Sequence, residues 1–190
     1  MQVNRCGWVS DDPLYQQYHD EVLGRPVYDP QQLFAKLCLD GQQAGLSWIT
    51  ILKKQANYEA LFANFEPSII ATFDEAKVEA LMLEPGIVRN RLKINSIIRN
   101  AKAYLAFVEQ GNDFADFLWG FVGGKPKVNY PASSADVPVQ TIESEAMSKA
   151  LKKLGFNFVG PTICYAFMQA VGMVDDHSHD CFCAAHKSAD

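Results

Sequence analysis

No stretch of this 190-residue chain approaches the roughly twenty consecutive apolar residues that a membrane helix needs. Residues 1–20 lack the apolar core of a secretion signal. Together these absences lead to the expectation of a cytoplasmic protein without membrane contact. Sustained alternation of apolar and polar residues is missing too, as are internal repeats and low-complexity tracts, which points to an all-α fold. An excess of positive charge is absent: the net charge is -5. That balance does not advertise nucleic-acid binding, although net charge is a poor guide where basic residues are segregated. The five cysteines are an odd number with no export signal, so thiols, some of them metal-bound, are expected in place of a disulfide framework. With 48% hydrophobic and 21% charged residues, the chain can build one sizeable core or two small lobes around a cleft.

What is present concentrates in residues 37–54, LCLDGQQAGLSWITILKK. Leu33, Phe34, Leu37 and Cys38 recur at helical spacing before it, and Trp48, Ile51, Leu52 and Gln55 continue a second helix after it. Residues 40–47 are therefore read as the turn between two helices, punctuated by Gly41 and Gly45. A carboxylate (Asp40), two amides (Gln42, Gln43) and an indole (Trp48) at a helix junction are the groups that hold a flat, nitrogen-rich, positively charged ring. Asp, Gln and Gly also collect at helix ends simply as caps and turn formers.

Elsewhere the helices are clearly punctuated. Asp12-Pro13, Asp29-Pro30 and Glu66-Pro67 open helices, Asp74 caps another, Gly155 stops one and Gly160-Pro161 starts the next. Tyr58, Leu61, Phe62 and Phe65 form an apolar stripe read as core. Cys38 and Cys164 sit on apolar patterns and are read as buried, inert thiols. Residues 123–140, rich in Pro, Gly and Ser, form a long loop joining two lobes.

Histidine is distributed unevenly. Tyr15, Tyr18 and His19 share one face of the first helix, and the next histidine along the chain is His177. Cys6-x12-His19 near one terminus and His177-x3-Cys181 near the other make a Cys2His2 set suited to tetrahedral zinc. Such a structural site would clip the ends together, with apparent binding energies of about 10–16 kcal/mol available in small metal modules. His179, Cys183 and His186 are substitute ligands on the same reasoning.

Residues 84–108, EPGIVRNRLKINSIIRNAKAYLAFV, place Pro-Gly between two helical patterns, as in a helix-hairpin-helix. Arg89, Arg91, Lys93, Arg99 and Lys102 lie there without an acid between residues 85 and 108. Cations around a glycine turn make a phosphate clamp, or simply a solvated helix face. Lys149, Lys152 and Lys153 before Gly155 repeat the design.

RCGW at residues 5–8, DPLYQQYHDE at 12–21, LDGQQAGLSWITILKK at 39–54 and GFNFVGPTICYAFMQAVGMVDDH at 155–177 resemble the 3-methyladenine DNA glycosylase I family along essentially the whole chain. The resemblance implies an all-helical member of the helix-hairpin-helix glycosylase superfamily. Its termini (about 1–30 and 141–190) form one lobe around a central lobe (about 31–122). It implies zinc on Cys6, His19, His177 and Cys181, and a base pocket on Tyr18, Trp48 and Asp40, with Trp8 as a further aromatic. The implied activity is hydrolysis of the N-glycosidic bond of 3-methyladenine in alkylated double-stranded DNA, releasing the free base. An N3-methylated adenine is cationic and leaves readily, so aromatic walls and one carboxylate suffice once the nucleotide is flipped out. Leu46 is the expected wedge filling the vacated stack, with Gln42 or Gln43 meeting the opposite strand. No obvious lysine nucleophile is placed, so a monofunctional glycosylase is expected, and separately a monomer. Two positions depart from the family pattern. Asp40 replaces a glutamate, which withdraws the carboxylate by about 1.5 Å, and Leu23 replaces a tryptophan. A DNA- or methylated-base-binding protein with weak catalysis is therefore the second reading.

Overall fold

The computed structural model describes residues 2–184. Among them run ten α-helices and two short strands. The helices are α1 (Pro13–Glu21), α2 (Pro30–Gln42), α3 (Trp48–Leu52), α4 (Gln55–Leu61), α5 (Pro67–Ile70), α6 (Glu75–Leu81), α7 (Arg91–Glu109), α8 (Phe114–Trp119), α9 (Ile142–Leu154) and α10 (Pro161–Ala170). The strands are β1 (Lys127–Val128) and β2 (Val174–Asp175).

The expected start signals operate as side-chain caps. Asp12 accepts from the amides of Leu14 and Tyr15 ahead of α1, Asp29 from Gln32 ahead of α2, and Asp74 from Lys77 ahead of α6. Each satisfies donors that a helix start leaves without partners. Thr141 and Ser144 close a reciprocal capping box on α9. Its other end is Gly155 at φ 102, a left-handed cap that a side chain would strain.

Helix α2 is the axis of the molecule. It packs against α10, α7, α8 and α3, and Leu33, Phe34 and Leu37 are fully buried along it. They join Tyr58, Phe62, Ile94, Ile97, Met147, Leu151, Phe167 and Met168 in one continuous apolar core. Each such side chain stabilises the fold by about 1.5–3 kcal/mol relative to exposure. Both terminal segments contribute, through Tyr18 and Val174. A second, small cluster forms around Cys6, Cys181 and Cys183.

Three local readings are corrected. Helix α2 continues through Gln42, so Asp40 stands in its last turn and only residues 43–47 are the turn. The helix after it is broken at residues 53–54 into α3 and α4. Finally, the chain is not wholly helical: β1 pairs in parallel with β2, Lys127 against Val174 and Val128 against Asp175. Two-residue strands are too short to show alternation. No helix among the described residues is long and apolar enough to cross a membrane.

Candidate active site and metal cluster

Asp40 is 2% exposed, and with Tyr18, Trp48 and Trp8 it lines a cavity of about 360 Å³. Thus α1, the last turn of α2, the first residue of α3 and the turn at residues 7–8 ahead of α1 bring together all four residues expected to surround a base. The Tyr18 and Trp48 rings lie 5.5 Å apart. Trp8 stands against Tyr15 at 5.2 Å and His19 at 5.4 Å. Leu23, where the family pattern has an aromatic, also lines the cavity.

The far wall belongs to the Pro- and Ser-rich loop. Pro131, Ser133, Ser134 and residues 137–139 line the cavity, so the segment read as a lobe connector also roofs the cavity. It is fastened by the β1–β2 pairing, by the His179 amide donating to Pro131 O (3.0 Å), and by Asp176. That carboxylate accepts from Asn129 Nδ2 at 2.7 Å, from Gln169 Nε2 at 3.0 Å and from the Tyr165 hydroxyl.

Burial pushes the Asp40 carboxyl up to about 6, against the opposing pull of Lys36. Lys36 Nζ lies 3.2 Å from Asp40 Oδ1 and 3.1 Å from the centroid of the Trp48 ring. Burial brings this ammonium down to about 8, against the charge and hydrogen bond of Asp40. Sequence reasoning missed Lys36, although its i, i+4 spacing from Asp40 on one helix was the available signal. Among the described residues, Asp40 Oδ2 and Trp48 Nε1 are buried without a hydrogen-bond partner. Leaving a buried polar atom unpaired costs about 1–3 kcal/mol, and a base with an amino group and ring nitrogens carries the complementary atoms.

Residues expected to meet DNA divide. Gln43 lines the cavity, and Leu46, 40% exposed, follows Gly45 at φ 78. Gln42, by contrast, is fully buried. It donates to Lys93 O at 2.9 Å and accepts from the Tyr58 hydroxyl at 3.1 Å. Lys93 is only 6% exposed and donates to the carbonyls of Gln42 and Ala44 at the end of α2, where the helix dipole favours a cation. Burial spends these two polar heads on tying the end of α2 to the first turn of α7, and of the two glutamines only Gln43 stands at the cavity. Arg89 is exposed, and Arg91 is exposed but paired with Glu79.

The termini meet beside the cavity, which Cys6 and His177 also line. Ligand atoms of Cys6, His19 and Cys181 lie within 4.8 Å of one another, as do those of His19, His177 and Cys183. His19 Nδ1 is 2.8 Å from Asp20 Oδ1 and His177 Nδ1 is 2.8 Å from Asp175 Oδ1. In each ring Nε2 is thus the nitrogen that would ligate, and His19 Nε2 lies 3.5 Å from Cys181 Sγ. A carboxylate behind a histidine is the usual backing of a metal ligand. Asp20 is itself gripped by Arg5, which holds its carboxyl below the ordinary range. Burial pushes the Cys6 thiol up, but hydrogen bonds from His19 and Ser178 outweigh it and bring it down to about 6, favouring the thiolate a metal needs. The donor set fits a soft or borderline cation such as zinc. Of the substitute ligands, Cys183 is in the cluster and His186 lies outside the described residues. Cys38 and Cys164 are buried, each pushed up to about 12 by burial, so neither is reactive.

Known proteins resemble this chain along nearly its whole length. The sequence family described as methyladenine glycosylase matches residues 8–184. The chain is 52% identical over 181 residues to DNA-3-methyladenine glycosylase 1 of Escherichia coli (strain K12), covering 95% of this chain and 97% of that one. A crystal structure of a 3-methyladenine DNA glycosylase I superposes with a TM-score of 0.94 at 54% identity, covering 95% and 99% of the two chains. The structure addressing 3-methyladenine recognition by the Staphylococcus aureus enzyme gives 0.92 at 40% identity, covering 95% and 96%. Similarity of this extent makes this chain a member of the methyladenine glycosylase family.

Proposed function

We propose that this protein is a DNA-3-methyladenine glycosylase of the cytoplasm, acting as a monomer on alkylated duplex DNA and hydrolysing the N-glycosidic bond without cutting the strand. The observation that carries the reading is Asp40: a buried acid with one oxygen unpartnered among the described residues, set in a cavity walled by Tyr18, Trp48 and Trp8. A flipped N3-methylated adenine places a cationic ring against those aromatic faces, which attract it more than neutral adenine. Asp40 opposes the ring charge and accepts from the exocyclic amine. The cationic base is already a good leaving group, so the pocket's work is selection, orientation and exclusion of water. Leu46 fills the gap in the stack, and Gln43 faces the strand opposite it.

The turn between α6 and α7, residues 82–90, supplies the hairpin of a helix-hairpin-helix, with Arg89 and the α7 start meeting phosphates. Cys6, His19, His177 and Cys181 hold a structural zinc, Cys181 being the thiol grouped with both Cys6 and His19. When bound, that ion supplies a cross-link between the termini. Hydrolysis without strand cleavage is supported by the cavity lining, which contains no lysine among the described residues.

Release of free 3-methyladenine from methylated duplex DNA tests this reading. The parent chain is expected to release the base, and Asp40→Asn to lose on the order of 100-fold. Release confined to Asp40→Glu would instead establish a protein that binds methylated DNA and barely cuts it, because the shorter acid falls short.

A further inference from the structure

Lys36 has no part in the roles above, yet it is built in directly behind the wall of the pocket. It stands one turn upstream of Asp40 on α2 with Nζ 3.2 Å from Asp40 Oδ1, against the Trp48 ring at 3.1 Å and the Tyr18 ring at 5.3 Å. It is absent from the cavity lining, so it lies behind the surface a base would touch. One Asp40 oxygen is occupied by this ammonium, while the other is buried and unpartnered among the described residues.

We propose that Lys36 is a positioning residue for the excision reaction: its ammonium keeps Asp40 ionised and fixes the carboxylate so that Oδ2 is the oxygen presented to the flipped base. The proposal rests on the reading of the cavity as the 3-methyladenine site. A carboxyl this deeply buried surrenders its charge unless a cation lies within hydrogen-bond reach, and Lys36 is that cation. The remaining groups that face Asp40 from its neighbours supply no charge in its place. On α1 the Tyr18 phenol is pushed far up by burial, and on α10 the Cys164 thiol is pushed up to about 12. On α3 Trp48 does not titrate, and on α7 Lys93 gives its ammonium to the carbonyls of Gln42 and Ala44. Burial draws Asp40 up to about 6 and Lys36 down to about 8, so the two form an ion pair between those values. The same geometry accounts for the short acid. An aspartate tethered from behind cannot swing, and its single remaining oxygen has a defined direction.

The test reads Asp40 and the reaction separately. The Asp40 carboxyl is titrated by carbon-13 NMR in the parent chain and in Lys36→Met, Lys36→Gln and Lys36→Arg, and kcat/KM for release of 3-methyladenine from methylated duplex DNA is measured across the same pH range. With Lys36→Met the carboxyl midpoint is expected to rise by about one pH unit or more, and the acid limb of kcat/KM to move with it, an approximately tenfold loss on that limb. Lys36→Arg restores both, and Lys36→Gln serves if the Met variant fails to fold. An unmoved midpoint overturns the proposal, as does a carboxyl shift with no matching shift of the acid limb, or a loss equal at every pH. Absence of release by the parent chain would sink the glycosylase reading itself, and the carboxyl titration would still decide whether Lys36 holds Asp40 ionised.

Discussion

The Cys/His cluster and the aromatic pocket around Asp40 border one cavity, but their polar side chains are held differently. In the cluster both imidazoles are braced by carboxylates, Asp20 and Asp175, Cys6 Sγ accepts from the Ser178 amide at 3.3 Å, and Arg5 braces Asp20 in turn. In the pocket Asp40 Oδ2 and Trp48 Nε1 are buried without partners among the described residues. The braced set is one that the proposed structural ion would complete once. The unbraced set is arranged to be completed repeatedly, by a base that leaves, and until then it weighs against the fold.

The contrast breaks most visibly at the cluster. Stripping metal with a chelator, or His19→Ala, is expected to abolish cooperative folding and excision together, since about 10–16 kcal/mol of apparent binding energy is at stake. Thermal melts beside metal analysis check it, and a variant without metal that melts like the parent would remove the ion from the argument. At the pocket the two readouts should separate. Asp40→Asn keeps the parent's cooperative melt while losing on the order of 100-fold in release.

The pH dependence of Asp40 has a definite sign. Its carboxyl is raised to about 6 in the fold from an unfolded value near about 4. The stability it contributes is therefore full below the unfolded value and is lost as pH rises through about 6. Activity, which needs the carboxylate, rises over the same interval, by about tenfold per unit below the midpoint. Melting temperature and kcat/KM measured from mildly acidic to neutral pH should move in opposite directions on account of this group.

The smallest expected effect compares two neighbours. Leu46→Ala should weaken release about tenfold with an unchanged melt. Gln42→Ala should cost about 1–3 kcal/mol of stability and leave DNA affinity at parent level, because its amide is spent on Lys93 O and Tyr58. Weakened binding by a stably folded Gln42→Ala protein would put that residue back on the DNA surface.

The helix starts were legible because Asp-Pro and Asp caps act locally, as at α1, α2 and α6. The meeting of Asp40, Trp48, Tyr18 and Trp8 was legible through chemical type and family pattern. What escaped was set by tertiary packing. Sequence shows Gln42 and Gln43 as equals, yet one helical step turns the first into the interior and the second toward the cavity. Lys93 reads as a free cation in a basic run, and only the docking of α7 on α2 converts it to a helix cap. The roof at residues 131–139 looked like a linker because its ordering depends on a strand far along the chain.

That dependence has a temporal side. His19 and Cys181 are 162 positions apart, and the strand that fastens the roof, β2, ends two residues before His177. At a synthesis rate of about 5–20 residues per second, on the order of ten seconds pass between the emergence of the first ligand pair and the second. During that time α1 to α8 can pack, but the cavity has neither its roof nor its clasp. On the proposed reading, competence for excision therefore arrives only once the segment that carries β2, His177 and Cys181 has been made.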